Sequence, residues 1–302
     1  MSATAEGAPA LKRASVRREV ARDTSIKGLL LTPAFAWIAL LVLAPNIFLL
    51  LYSFWENDLG TVVKTFSLEN YREGINSEVV RTLFTRTFVI AFMAAGIATA
   101  IAYPAAYIVV RKMGRFKLAA ALLILVPLWV SFLLRVFAWR IILGEQGILN
   151  GFLTSTGLAD QPSEAFLYSR TTVVLTLTYI VIPYVFLASY TVLERIPNSV
   201  YEASADCGAS AWRTFWRVVW PLSRPGVAIG FAIGFVLAFG DYVTPQMVGG
   251  VEGTMLGSIV IQQFGTANNW PYGAAIAVSI MLTSLVFLAL VSYLSRTEAR
   301  YE

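Results

Sequence analysis

From Thr172 to Leu193 the chain reads TVVLTLTYIVIPYVFLASYTVL, and from Glu194 to Gly226 it continues ERIPNSVYEASADCGASAWRTFWRVVWPLSRPG. The first stretch carries no charge. A helix crosses the hydrocarbon core with about 20 apolar residues, so this stretch predicts a membrane span. The apolar residues run on continuously, which excludes the alternation of a barrel strand. The second stretch is polar, basic and aromatic, and predicts a surface loop with helical structure of its own. Five further apolar runs flank the pair, at 28–55, 86–110, 118–143, 226–249 and 273–294. Together with 172–193 they predict an all-α polytopic membrane protein with six transmembrane helices.

Composition supports this reading. Of 302 residues, 57% are hydrophobic and 14% charged, whereas a soluble domain is about 25% charged. Mean hydropathy is +0.68. An ordinary soluble enzyme, a disordered chain and a disulfide-stapled secreted domain are excluded. There is no histidine, so a His-based triad, metal site or proton shuttle is excluded. The single cysteine, Cys207, excludes an intrachain disulfide and a multi-Cys cluster.

Basic residues set the expected orientation. Lys12, Arg13, Arg17, Arg18, Arg22 and Lys27 precede span one, and Arg111, Lys112, Arg115 and Lys117 follow span two. Arg195, Arg213, Arg217 and Arg224 follow span four, and Arg296 and Arg300 follow span six. Sixteen of the 23 basic residues thus fall on one side. The opposite loops hold Lys64, Arg72, Arg81, Arg86 and Arg170 among nine carboxylates. The positive-inside rule then places both termini in the cytoplasm. Residues 1–27 read as a basic cytoplasmic tail, 28–295 as the transmembrane domain and 296–302 as a second tail. The first tail either only determines topology or also touches anionic headgroups. The run that follows it is too long for a cleaved signal peptide.

Pro33, Pro45, Pro104, Pro127, Pro183 and Pro245 lie within or at the ends of spans, where each removes a backbone donor. Gly230 and Gly234 form a small-residue pair that permits close helix approach. Arg135, Arg140 and Asp241 are the charges within spans. Each costs about 2.5–3.5 kcal/mol to insert and should face protein or water. Along straight helices, Asp241 would lie about 22 Å and Arg135 about 25 Å from the inner surface. They could pair, or both could face a vestibule. Arg140 would snorkel to the outer headgroups.

In the loop 194–225, Pro197 with Asn198 or Ser199 offers a helix start and Val200 to Cys207 a short helix. Gly208 suits its end, because glycine takes positive φ without strain. A second helix is expected from Ser210 to Trp220, ended by Pro221 and Pro225. Its Trp212, Phe215, Trp216, Val219 and Trp220 share helical spacing, with Arg213 and Arg217 on another face. The loop either grips a partner or lies on the membrane surface.

Glu202-Ala203-Ser204, then Gly208, Val218 and Pro221, resemble the EAA loop of permease subunits of ATP-binding-cassette (ABC) importers. That pattern is Glu-Ala-Ala followed at fixed distances by Gly, Ile and Leu-Pro. Ser204, Val218 and Trp220 depart from it, and the spacing is complete. The resemblance implies the type I importer permease fold in the inner membrane of a bacterium. It further implies that Glu202, Ala203, Ser204, Asp206, Gly208, Ala209, Phe215 and Pro221 form a coupling surface for a separate ATPase. The implied partners are a second homologous permease, two ATPase subunits, an extracytoplasmic binding protein and membrane lipid, with no nucleic acid. The chain itself lacks a Gly-Lys dipeptide and so cannot build a Walker A loop. No cofactor is expected on this chain, and ATP and Mg would be used by the partner ATPases.

The resemblance covers roughly 30–295 and is most similar to spermidine/putrescine importer permeases. Its further blocks are Pro127-Leu128-Trp129 with Ser131, Leu134-Arg135 and Ala138-Trp139, then Gly147-Ile148-Leu149-Asn150. Gly240-Asp241-Tyr242-Val243-Thr244-Pro245 with Gly249-Gly250, and Trp270-Pro271-Tyr272-Gly273-Ala274-Ala275, complete them. Importers of other amines, opines and aminophosphonates share much of this. A cation in a membrane path wants a carboxylate and aromatic faces. Asp241 would supply the first, and Trp129, Trp139, Tyr179, Tyr184 and Tyr242 the second. Arg135 would repel a cation unless Asp241 neutralises it. An ion-coupled secondary transporter would want coupling carboxylates and an internal repeat. A membrane enzyme would want a clustered catalytic set. The sequence offers neither.

Overall fold

A computed structural model describes residues 32–33, 35–58, 60–157 and 166–298. The basic tail 1–27, the first residues of span one and the C-terminal residues 299–302 lie outside the described residues. The chain divides into two units, Met1–Tyr52 and Ser53–Glu302.

The first unit contributes helix α1, Phe35–Tyr52, with a mean hydropathy of 2.2. It is apolar on all sides, as a membrane-spanning helix is.

The second unit opens with an antiparallel strand pair, β1 Glu56–Asp58 and β2 Thr61–Val63, with Glu56 opposite Val63. The helices that follow are α2 Glu69–Asn76, α3 Glu78–Lys112, α4 Lys117–Leu125, α5 Phe132–Leu143 and α6 Ile148–Ser155. Next come α7 Arg170–Glu194, α8 Asn198–Asp206, the short α9 Ala211–Thr214 and α10 Trp220–Phe239. The last are α11 Leu256–Phe264 and α12 Trp270–Glu298.

The helices α3, α7 and α10 pack against one another and hold the core. On α3 the buried Ala91, Ala94, Ala95, Ala98 and Ala102 recur every three or four residues, which turns one small-residue stripe inward. The facing side of α10 carries Gly234, where a Cβ would stand 2.5 Å from Val181 Cγ1 of α7 and 3.6 Å from Ala95 Cβ of α3. Side chains this small let three backbones meet closely, where van der Waals packing must replace the missing hydrophobic drive. Helix α12 joins through aromatic rings, with Phe287 stacked on Phe235 at 3.9 Å. Thr87 of α3 fixes the start of α11 by accepting a hydrogen bond from the Leu256 backbone at 2.8 Å.

Among the described residues, five helices are long and apolar enough to cross a membrane, and two segments, Gly114–Trp129 and Phe132–Ser155, make a sixth crossing if taken together. The structure departs from the sequence reading at that sixth crossing. The expected continuous span 118–143 is bent by 93°. The 3-10 turn Val126–Trp129 has Pro127 at its start, and Val130 and Ser131 are extended. Proline fixes its φ and gives no donor, so the α-helical ladder is not carried through. The straight-axis depth of Arg135 therefore does not apply.

Two further boundaries differ. The expected span 226–249 leaves its helix at Phe239, because Gly240 to Thr244 turn the chain into a π-helical turn, Pro245–Gly249. Pro221 and Pro225 do not end a helix. The run from Ala211 to Phe239 is helical throughout, with a π turn at Phe215–Val219. In that turn the Trp220 N–H donates to Phe215 O, five residues back. The wider register lets Pro221 enter at the first turn of α10, where its missing N–H is tolerated. Ser223 Oγ donates to the Trp220 carbonyl at 3.3 Å.

Candidate functional site: the loop between α7 and α10 and the helix break opposite

At one end of the bundle, α8 has no buried residue. Glu202, Ala203 and Asp206 are exposed along it. Its C-terminus forms a complete Schellman cap. The Ala209 N–H donates to Ser204 O at 3.1 Å and the Gly208 N–H to Ala205 O at 2.8 Å. Gly208 has φ +75, the left-handed conformation this cap needs. The turn then leads to Ser210, which caps α9 by accepting from the Arg213 N–H. Ser204 and Thr214 hydroxyls meet at 2.8 Å and tie α8 to α9.

The loop is also tied to the bundle. Arg111, in the last turn of α3, donates to Asn198 Oδ1 at 2.7 Å and lays its guanidinium 3.4 Å from the Tyr201 ring centroid. Burial pushes the Tyr201 hydroxyl above the ordinary tyrosine range, with the Arg111 charge opposing. Lys117 Nζ meets Glu194 Oε1 at 2.6 Å. Deeper, Tyr103 hydrogen-bonds Ser223 at 2.8 Å. Phe215 stands edge-on to Tyr107 at 5.3 Å.

Phe215, grouped by sequence with the coupling residues, thus turns toward the bundle. Pro221 and Ala209 are half-buried, while Trp212 and Trp216 are exposed. The sequence reading missed the ties made by Arg111, Asn198, Tyr201 and Thr214. Arg111 counted there only as a topology charge. Its partner Asn198 is 87 residues away, so no local spacing could have paired them.

At the other end lies the second set. Asp241 is buried and caps its own turn: its Oδ1 accepts from the Val243 N–H at 2.8 Å and the Thr244 N–H at 3.3 Å. Thr244 Oγ1 donates to Asp241 Oδ2. Arg135 is 6% exposed, and its Nε and Nη1 have no hydrogen-bond partner among the described residues. Its guanidinium stands 5.9 Å from the Phe132 ring centroid. No Arg135–Asp241 ion pair forms among the described residues. Helix α5 packs against the π turn Pro245–Gly249, which begins four residues after Asp241. Trp139 contacts Tyr179 edge-on at 5.5 Å and fixes α5 to α7. Trp129 is 72% exposed at the bend and Tyr242 is exposed beside Asp241. Tyr184 is half-buried in α7. No group of three metal-ligating side chains occurs among the described residues.

The profile of the family described as "Binding-protein-dependent transport system inner membrane component" matches residues 23–299. The chain is 30% identical to the spermidine/putrescine transport system permease protein PotB of Haemophilus influenzae over 262 residues, covering 84% of this chain and 89% of that one. It is 29% identical to the PotB of Escherichia coli, covering 85% and 92%. It is 32% identical to the inner membrane ABC transporter permease protein YdcU of Escherichia coli, covering 90% of each. Among solved structures it is similar to a bacterial alginate ABC transporter in complex with an alginate pentasaccharide-bound periplasmic protein. That match has a TM-score of 0.71 at 13% identity, covering 93% of this chain and 96% of the other. The MetNI methionine ABC transporter in an inward-facing conformation gives a TM-score of 0.54 at 17% identity, covering 74% and 99%. The bent sixth crossing, the capped helix pair between α7 and α10 and the match over residues 23–299 converge: the chain belongs to the inner membrane components of binding-protein-dependent transport systems, the permease subunits of ABC importers.

Proposed function

We propose that this permease forms half of the translocation path for a polyamine, spermidine or putrescine, and that α8 is the surface on which a separate ATPase acts. The observation that carries the second part is the geometry of α8. A helix with no buried residue, rigidly capped at Gly208 and tied at Asn198, Tyr201 and Ser204, is a lever whose outer face is free. Glu202, Ala203 and Asp206 supply that face. A push on it reaches α3 through Arg111 and α10 through Thr214 and the π turn. Closure of two ATPase subunits would then shift the bundle between inward- and outward-open populations. By the positive-inside rule, the basic residues around the loop support a cytoplasmic position for it and for both termini.

The cargo reading rests on the PotB relatives, whose names state their cargo and whose similarity spans most of this chain. The chemistry agrees in part. Asp241 supplies a buried carboxylate beside the helix break. Tyr242 and Trp129 offer aromatic faces to a cation. The full transporter would pair this chain with a second permease, two ATPases and a binding protein on the opposite side of the membrane.

The test is ATPase rate in nanodiscs containing the whole transporter, with binding protein loaded by putrescine, spermidine or related amines. Stimulation by polyamine-loaded binding protein alone is expected. Stimulation only by another amine would overturn the cargo and keep the permease.

A further inference from the structure

A groove of about 930 Å³ runs between α3 and α7 at the end remote from the coupling loop. Its rim carries Arg81 and Arg86 of α3, Arg170 at the start of α7, and one carboxylate, Glu78. Among the described residues, three guanidinium groups line the groove with one carboxylate. Arg86 Nη1 donates to the Val251 carbonyl at 3.3 Å, and Arg170 Nε donates to the Glu252 carbonyl at 3.1 Å. Each bond uses one of a guanidinium's five N–H donors, so both side chains are held in place with donors to spare. The floor is apolar. Val89, Met93 and Ile97 line it and are each exposed by 42–49%. From Arg81 to Ile97 the groove follows about 24 Å of helix. Arg81 also edges a second, largely apolar pocket of about 400 Å³, on the α11 and α12 side of α3.

We propose that this groove binds an anionic phospholipid, with its phosphate on Arg81, Arg86 and Arg170 and an acyl chain along Val89, Met93 and Ile97. A cationic rim above an apolar floor matches an anionic headgroup above its acyl chain, since guanidinium groups bind phosphate through paired N–H donors. A polyamine would be repelled by the excess positive charge. A free inorganic phosphate would leave the floor uncovered. A helix of a partner subunit would cover the floor, and capture of that subunit is the outcome that separates it from a lipid. The proposal rests on membrane insertion of the bundle and is independent of the cargo.

Whole transporter reconstituted in equal parts of phosphatidylcholine and phosphatidylglycerol would be released gently and weighed by native mass spectrometry. Retained phosphatidylglycerol is expected in the wild type. It should fall by about tenfold or more in R81Q/R86Q/R170Q. Met93→Trp, which leaves the arginines in place and fills the groove, should also lower retention. Equal retention of both lipids by the wild type would overturn the proposal. So would undiminished phosphatidylglycerol in both variants, or its displacement by inorganic phosphate. A photo-crosslinker at Met93 should capture lipid, and capture of the second permease would likewise overturn it.

Discussion

The two ends of the bundle solve opposite problems. At the coupling end, short helices are held by paired polar and aromatic contacts: Arg111 to Asn198 and Tyr201, Ser204 to Thr214, and Lys117 to Glu194. At the other end, two crossings are interrupted at 126–131 and 240–249, and a buried arginine has two nitrogens without partners among the described residues. The end that carries α8 is braced by these contacts. The break end is irregular backbone, which membrane proteins tolerate where protein or a cavity covers it. The contrast fits a device in which force enters at a rigid end and the pathway rearranges at the other.

The comparison can be broken from the middle. Gly234→Leu drives a side chain into Val181 and should cost about 3 kcal/mol or more, loosening both ends together. The check is thermal stability of the assembled transporter. Thr244→Val removes a donor to the buried Asp241 and should cost about 2 kcal/mol. It should lower uptake while leaving ATPase association intact, which transport assays and co-purification separate. Arg111→Ala removes the tie to Asn198 and Tyr201, for about 1.5 kcal/mol. Its expected signature is reversed: assembly persists and binding-protein stimulation of ATP hydrolysis falls, with partial return in Arg111→Lys. Gly208→Ala meets no atom within 4 Å, so its cost is backbone strain alone, about 1 kcal/mol. Stimulated ATPase activity should drop modestly, and Gly208→Asn less. Lys117→Met breaks a partly exposed ion pair and should change stability by less than about 1 kcal/mol. Equal effects of Arg111→Ala and Thr244→Val on coupling would erase the distinction between the ends.

The two ends were also unequally legible in the sequence. Span positions follow from composition over windows of about 20 residues, and the Gly208 turn follows from one residue's conformational freedom. Both are local, so they could be read from the chain alone. The bend at Val130 and Ser131 could not. Pro127 gave the same signal as Pro104 and Pro183, yet those two sit inside the uninterrupted α3 and α7. Whether a proline breaks or merely kinks a membrane helix depends on neighbours that resupply the lost bond. Pro221 makes the same point in reverse, since the π turn before it absorbs the missing donor. Arg135 and Asp241 stand out in the sequence as charges within apolar runs, but their separate environments depend on how the two breaks fold. The contacts that brace α8 join residues far apart in sequence, and only the folded bundle brings them together.

The proposal that α8 is the docking surface for the ATPase can be tested on the chain as it stands. The chain's single cysteine, Cys207, is exposed at the C-cap of that helix and serves as a native probe. Membranes carrying the whole transporter would be treated with a maleimide before and after the ATPase subunits are stripped away. Cys207 should be protected in the assembled transporter and react rapidly once the ATPase is removed. Equal reactivity in both states, with the ATPase shown to be bound in the first, would contradict it.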